Sequence, residues 1–218
     1  MTSGPTIEHI DPVRFISNRS TGVMGYKIAE LASKRGHDVT LISGPVALKA
    51  PKVKRFFNIE SSDELLRSAK KELKRSDCLI MCAAVSDFKV KKPFGKKIKH
   101  KEALSLKLVP NKDLIAELAK EKQDKLLVGF SLETEHLVKR SIDKLKSKNL
   151  DLIVANKLTQ RRNIFGDNKL DVVIIDKAGN RVLIKNKNKA YIAGVLLDKI
   201  EDLWYLNEAM AYGTHKAA

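Results

Sequence analysis

Ser20-Thr21-Gly22-Val23-Met24-Gly25 places hydroxyls and two glycines just ahead of a run whose apolar residues, Ile28, Leu31 and Ala32, keep helical spacing. The first turn of a helix has backbone N–H groups without intrahelical acceptors, and its dipole favours negative charge, so this stretch can hold a phosphate. Plain capping uses the same residue types, and the pattern alone leaves both readings open. Gly4, in Ser3-Gly4-Pro5-Thr6, forms a second glycine turn able to close on the same anion. Ala83-Ala84-Val85-Ser86-Asp87-Phe88 follows a strongly apolar run. Its two alanines leave the backbone open to a ligand, and Asp87 is a carboxylate that could take a hydroxyl, an amide or a metal, or cap a turn. GKKIKHK, Gly95 to Lys101, clusters ammonium groups in a loop suited to closing over a polyphosphate, or to being solvated. Arg140, Lys144 and Lys148 recur every four residues. Like charges at that spacing weaken a helix by about 0.2–0.5 kcal/mol per pair. An anion bridging the stripe would relieve that cost; a solvated surface is the alternative.

These groups need a scaffold, and the apolar periodicity supplies one. HDVTLIS, VKRFFNI and DCLIMCAAV read as strands, the last too apolar for an edge, and SSDELLRSAKKEL reads as a helix with Ser/Asp capping. LSLKLV reads as a strand with Leu104, Leu106 and Leu108 on one face, and NKDLIAELAKE as a helix capped by Asn111. KLLVGFSLE, EHLVKRSIDKLKSKN and LDLIVAN give strand, helix, strand; LDVVIIDKAGNRVLIK gives a hairpin around Ala178-Gly179-Asn180. A last helix is expected from Lys189 to Leu206, then a polar, disordered tail over 207–218. The expectation is a single α/β domain over residues 1–206: a Rossmann-like three-layer sandwich, mostly parallel, with helices on both faces and a C-terminal β-hairpin. Ligands then belong at the carboxyl ends of strands.

Composition narrows the classes. With 218 residues, 43% hydrophobic, the chain suits one domain with a sizeable core. No apolar run is long enough to cross a bilayer and MTSGPTIEH has no signal-peptide pattern, so a cytoplasmic protein without membrane partners is expected. Cys78 and Cys82 lie four apart without a partnering Cys/His pair, which marks small core hydrophobes rather than a metal or redox site. A formal charge of +16 calls for an anionic partner, nucleic acid or a polyphosphate substrate, or else is a solvated lysine surface. With 6% aromatics there are few rings on which to stack bases, and a basic nucleic-acid-binding protein without catalysis is the weaker alternative. A nicotinamide reductase would need G-x-G-x-x-G straight after a strand, which S-T-G-V-M-G does not provide.

DPVRFISNRSTGVMG, AAVSDF, KKIKHK, VGFSLET and KNLDLIVAN, in this order, resemble the phosphopantothenate–cysteine ligase (phosphopantothenoylcysteine synthetase) family of coenzyme A biosynthesis. Bacteria carry that family as the C-terminal half of a bifunctional flavoprotein or as a stand-alone chain. The likeness runs from Gly4 to about Leu197. It implies a ligase that joins 4′-phosphopantothenate to L-cysteine with CTP (ATP in eukaryotes) and Mg²⁺, through an acyl-cytidylate, giving phosphopantothenoylcysteine, CMP and pyrophosphate. No protein nucleophile is needed, in keeping with the lack of a Ser/His or Cys/His arrangement.

Motif by motif, the resemblance implies that Asn18, Asp87 and Lys97 serve catalysis and that Arg14, Asn18, Ala83, Ala84 and Asp87 hold phosphopantothenate. It implies that Gly4, Ser20, Gly22 and Gly25 cradle the triphosphate, with Asp87 and the flap residue Lys97 beside it. Asn111, Lys112, Asp113, Leu114 and Ile115 would line the base or ribose, and Phe130, Lys144, Lys148 and Asn156 would frame the nucleotide. The Mg²⁺ ligands stay unassigned. A homodimer is implied, with Arg14 reaching the partner's substrate, and a separate flavin-dependent decarboxylase is an expected partner. Three positions depart from the family: Val23 stands where a basic residue is usual, Lys112 where proline is common, and the chain begins almost at the Gly4 turn, so the first strand is expected to be cut short.

Overall fold

In the computed structural model, which describes residues 1–99, 103–158 and 165–214, the elements run in chain order as β1 (Thr2–Ser3), β2 (Ile7–His9), β3 (Phe15–Ser17), α1 (Val23–Lys34), β4 (Thr40–Ser43), β5 (Arg55–Asn58), α2 (Ser62–Leu73), β6 (Cys78–Met81), β7 (Phe88–Val90) and β8 (Leu108–Pro110). They continue as α3 (Leu114–Ala119), β9 (Leu126–Glu133), α4 (Leu137–Ser147), β10 (Leu152–Lys157), β11 (Leu170–Asp176), β12 (Arg181–Lys187) and α5 (Lys189–Thr214). Eight strands form one sheet in the order β12-β11-β10-β9-β6-β1-β4-β5. Of these β11 alone runs antiparallel, paired with β10 and β12 as the expected hairpin.

Period-two alternation builds the three layers. Leu41, Ile80, Val128, Val154 and Val172 face one way and pack with Ile28 of α1 and Ile192 and Leu196 of α5. Their neighbours Ile42, Leu79, Leu127, Ile153 and Val173 face the other way, against Leu65 of α2, Leu118 of α3 and Leu145 of α4. Both faces are covered, which is why these strands read as nearly continuous apolar runs.

The first strand, though only two residues long, lies inside the sheet between β6 and β4: Thr2 pairs with Ile42 and with Met81, and Ser3 with Ser43. From β1 the chain moves outward to β4 and β5, then returns to place β6 on β1's other side. That reversal is a topological switch point, where open α/β sheets bind ligands beyond the carboxyl ends of their strands.

Four expectations need correction. LSLKLV is a strand only at its end: β8 begins at Leu108, pairs with β7 in a two-stranded ribbon, and leaves Leu104 and Leu108 exposed. Asn111 does not cap α3; Asp113 does, its carboxylate accepting from the Ala116 N–H at 3.2 Å. The last helix passes Leu206 and reaches Thr214, where a polar tail was expected, while 215–218 lie outside the described residues. The short ribbon β2–β3 was not foreseen, because three-residue strands carry too little periodicity to register.

Candidate active site

Short contacts join the loops after β1 and β6. The Ala84 N–H donates to the Gly4 carbonyl at 2.9 Å, the Thr6 N–H donates to the Ala84 carbonyl at 3.1 Å, and the Ala83 N–H donates to Thr2 Oγ1 at 3.2 Å. Ala83 and Ala84 therefore do not offer free backbone donors, contrary to the sequence expectation. What they leave open is side-chain space. The Ala84 carbonyl also accepts from Asn18 Nδ2 at 2.9 Å, which ties the strand leading into the glycine loop to the end of β6.

At the glycine loop, Gly22 has φ +75°, a left-handed conformation that costs a side-chain-bearing residue energy, and it forms the N-cap of α1 without any side-chain cap. Gly25, one turn in, approaches β1 so closely that a Cβ would sit 2.3 Å from Ser3 Oγ. Close approach puts the start of α1 directly over the end of β1. Ser20 Oγ accepts from the Gly22 N–H at 3.4 Å rather than from the first turn of the helix. The two readings of the loop thus separate: no side chain caps α1, and its N-terminus opens on a cleft.

That cleft, of about 220 Å³, is lined by Ser20 to Gly25, Cys82, Ala83, Ala84, Phe130, Ser131, Asn156, Phe165 and Lys189, with apolar residues of β10 and β11 as its floor. Phe130 on β9 and Asn156 on β10 reach it from neighbouring strands, Val154 being the register partner of Phe130. Burial pushes the Cys82 thiol up to about 12, which disfavours the thiolate form. Cys78 is likewise raised to about 12, and both pack against the core, as expected of small hydrophobes.

A family profile described as the DNA/pantothenate metabolism flavoprotein C-terminal domain matches residues 1–203. The chain belongs to this family. Over 205 residues it is 38% identical to the coenzyme A biosynthesis bifunctional protein CoaBC of Bacillus subtilis, covering 93% of this chain and 50% of that protein. A cysteine/cysteine sulfinic acid decarboxylase from an unknown prokaryotic organism is 39% identical over 203 residues, 92% of this chain and 56% of the other. The chain thus spans about half the length of these curated relatives. Among solved structures, the crystal structure of the C-terminal domain of CoaBC superimposes with a TM-score of 0.80 at 32% identity, covering 94% of this chain and 93% of that one.

Within this flavoprotein C-terminal domain the expected site residues fall into groups. Ser20, Gly22, Gly25, Ala83, Ala84, Phe130 and Asn156 meet in the cleft, with Asn18 at its edge through Ala84. Gly4 is buried behind them, 2.9 Å from the Gly44 carbonyl at its would-be Cβ, and does not line the cleft. Asp87 and Lys97 are exposed; the Asp87 carbonyl accepts from the Asn111 N–H at 2.8 Å. His100 and Lys101, the end of GKKIKHK, lie outside the described residues. Asn111 Nδ2 donates to Glu8 Oε1 and to the Ser86 carbonyl, Lys112 is exposed, and Leu114 sits in the core with Ile115 packed beside it.

The basic stripe of α4 is bridged by the protein's own carboxylates. Lys144 Nζ meets Glu133 Oε1 at 2.5 Å and Ser131 Oγ at 3.2 Å, Arg140 reaches Glu133 Oε2 at 3.5 Å, and Lys148 pairs with Asp113 at 2.9 Å. Burial alone would raise the Glu133 pKa, but Lys144, Ser131 and Arg140 outweigh it and hold the carboxyl below its usual range. Arg14 is similarly engaged: it pairs with buried Asp11 at 2.9 Å and donates to the Ile98 carbonyl at 2.6 Å, beside Lys97. Among the described residues no three or more His, Cys, Asp or Glu side chains group to hold a metal. A nucleotide-borne Mg²⁺ commonly takes one or two carboxylates plus phosphate oxygens; Asp87, exposed beyond β6, is a carboxylate outside the lining of the cleft.

Sequence reasoning passed over Ser131, Phe165 and Lys189, all of which line the cleft. Lys189 gave no signal, being one of several lysines in KNKNKA.

Proposed function

We propose that this domain joins 4′-phosphopantothenate to L-cysteine, using CTP in preference to ATP. The observation that carries this reading is the uncapped N-terminus of α1 opening on a cleft whose other wall is Ala83-Ala84, tied to Asn18. It is an anion cradle beside a substrate wall, with no activated protein nucleophile among the residues lining it.

A carboxylate is a poor electrophile, so its oxygen first attacks the α-phosphorus of the nucleotide; the bond to the bridging oxygen breaks and pyrophosphate leaves. The cysteine amine then adds to the acyl carbon of the mixed anhydride and expels the nucleoside monophosphate, losing a proton to solvent. Such chemistry asks the protein for positioning and for stabilisation of charge on phosphate. First-turn N–H groups of α1 hold phosphate oxygens, Asn18 faces the reacting end of phosphopantothenate, and Lys97 meets the phosphates from the flap. Mg²⁺ bound with the triphosphate would neutralise phosphate charge, with Asp87 holding it.

The same proposal takes the protein as a cytoplasmic homodimer whose pathway neighbour is a flavin-dependent decarboxylase. Val13, Phe15, Phe88 and Leu108, exposed on the adjoining ribbons β2–β3 and β7–β8, offer an apolar surface for self-association.

Pyrophosphate release, measured with phosphopantothenate, cysteine and either CTP or ATP, tests the reading. Release is expected only with phosphopantothenate and nucleotide together, and faster with CTP. Equal rates with both nucleotides would remove the CTP preference; release without phosphopantothenate would remove the mechanism.

A further inference from the structure

Lys189 opens α5, is 5% exposed, and is the one charged side chain among the described residues that line the cleft. Helix position and burial both work against an ammonium group there. The first turn of a helix is the positive end of its dipole. Burial removes hydration that a lysine ordinarily keeps, and it pushes the Lys189 pKa down, with the Asp167 carboxylate pulling the other way. A negatively charged ligand would relieve both costs.

Topology aims the group. β12 is antiparallel to β11, which is antiparallel to β10, so β12 runs parallel with the rest of the sheet. The helix that follows it, α5, therefore begins at the same edge of the sheet as α1, and the two helices pack together. Their N-termini flank one cleft. Lys189 Nζ donates to the Gly166 carbonyl, and the Gly166 N–H donates to Thr21 Oγ1 at 3.1 Å. Lys189, Gly166 and Thr21 thus form a chain of contacts across the cleft, from α5 to the glycine loop. Ser20 to Gly25 contains no basic side chain, so α1 alone contributes only N–H groups and dipole. Lys97 sits on an exposed loop, and Lys144 and Lys148 are paired with Glu133 and Asp113.

We propose that Lys189 is a nucleotide-binding residue, its ammonium taking a phosphate oxygen of the nucleoside triphosphate whose phosphates lie on the α1 glycine loop. This rests on the ligase reading above. An ammonium has three N–H donors, so it can keep the Gly166 carbonyl and a phosphate oxygen together, which would hold the Phe165-Gly166 segment against bound nucleotide.

Two measurements test it. In Lys189→Met, which keeps the apolar stem, the KM for CTP should rise at least about tenfold while that for phosphopantothenate stays within about twofold, and Lys189→Arg should recover most of the loss. An unchanged CTP KM in the folded Met variant, or a rise confined to phosphopantothenate, overturns the assignment. In the unmodified protein, CTP should protect Lys189 from an amine-acylating reagent, mapped by peptide mass, and phosphopantothenate alone should not. If Lys189→Met does not fold, this second measurement decides. A protein inactive as a ligase whose Lys189 is nonetheless protected by CTP would sink the ligase reading and leave nucleotide binding standing. An active ligase with unprotected Lys189 would sink this inference alone.

Discussion

Asn18 Nδ2 donates to the carbonyl of Ala84 at 2.9 Å, joining residues 66 positions apart. A carbonyl only accepts, so the bond fixes which end of the amide faces which way: NH₂ toward Ala84, Oδ1 away from it. The approach to the glycine loop and the end of β6 therefore hold each other in place. In the proposed reaction these are the two walls that meet at the reacting end of phosphopantothenate.

Replacing Asn18 by Asp substitutes an acceptor for this donor and adds negative charge beside phosphate and acyl oxygens. Overall amide formation should fall at least about tenfold, or ~1.4 kcal/mol of barrier. Loss of one exposed hydrogen bond costs ~1 kcal/mol or less, so thermal stability should stay near wild type. Quenched flow with radiolabelled nucleotide distinguishes the steps: a trapped acyl-nucleotide assigns Asn18 to the cysteine step, its absence to activation. A wild-type rate would make Asn18 a structural tie only.

Lys97 is exposed, but the residue after it is pinned on both sides: the Ile98 N–H donates to Asp11 Oδ2 at 3.1 Å, and its carbonyl accepts from Arg14. Truncation of an exposed loop lysine changes stability by no more than about 0.5 kcal/mol. Lys97→Ala should nonetheless slow pyrophosphate release at least about tenfold, because charge developing on phosphate loses a partner. Normal release from a folded variant would return the loop to a solvated charge run.

Asp11 gives the flap a pH dependence. Burial alone would raise its pKa, but the backbone N–H groups of Ile98, Val13 and Arg14, with the Arg14 guanidinium, bring it down to about 2. A depressed carboxylate pKa stabilises above the unfolded value and loses that contribution as pH falls through the folded one. Pepsin cleavage near Ile98 should therefore increase as pH drops from 3.8 toward 2. In Asp11→Asn the increase should disappear, with cleavage already raised at the upper end. Cleavage independent of pH in the wild type would show that Asp11 does not anchor the loop.

Glu133 keeps Lys144 and Arg140 from facing each other unscreened on α4. Glu133→Gln should destabilise the fold by about 1–3 kcal/mol, read by denaturant unfolding, since charge-assisted bonds are lost and like charges remain. The wild-type contribution is present above the ordinary glutamate pKa and fades as pH falls below it, so the two proteins should converge in stability under acid conditions. Identical stability at neutral pH would mean that solvent already screens the stripe.

Local order was legible wherever chemistry and periodicity act along the chain. Continuous apolar runs such as CLIM and LIVA announced strands buried on both faces, and the glycines at 22 and 25 announced where α1 begins. The order of five motifs pointed to the family that the profile and the relatives then showed. Tertiary structure alone decided which polar groups are spent. Ala83 and Ala84 looked open until β1 and the Gly4 turn took their N–H groups, and the α4 lysines looked unpaired until Glu133 and Asp113 arrived from β9 and the α3 cap. Lys189 looks like Lys185 and Lys187 in the chain; only the parallel course of β12 and the packing of α5 beside α1 bury it in the cleft. The physical reason is range: a hydrogen bond or ion pair is fixed at about 3 Å, and which residues come that close depends on strand order and register, set by contacts spread over the whole sheet.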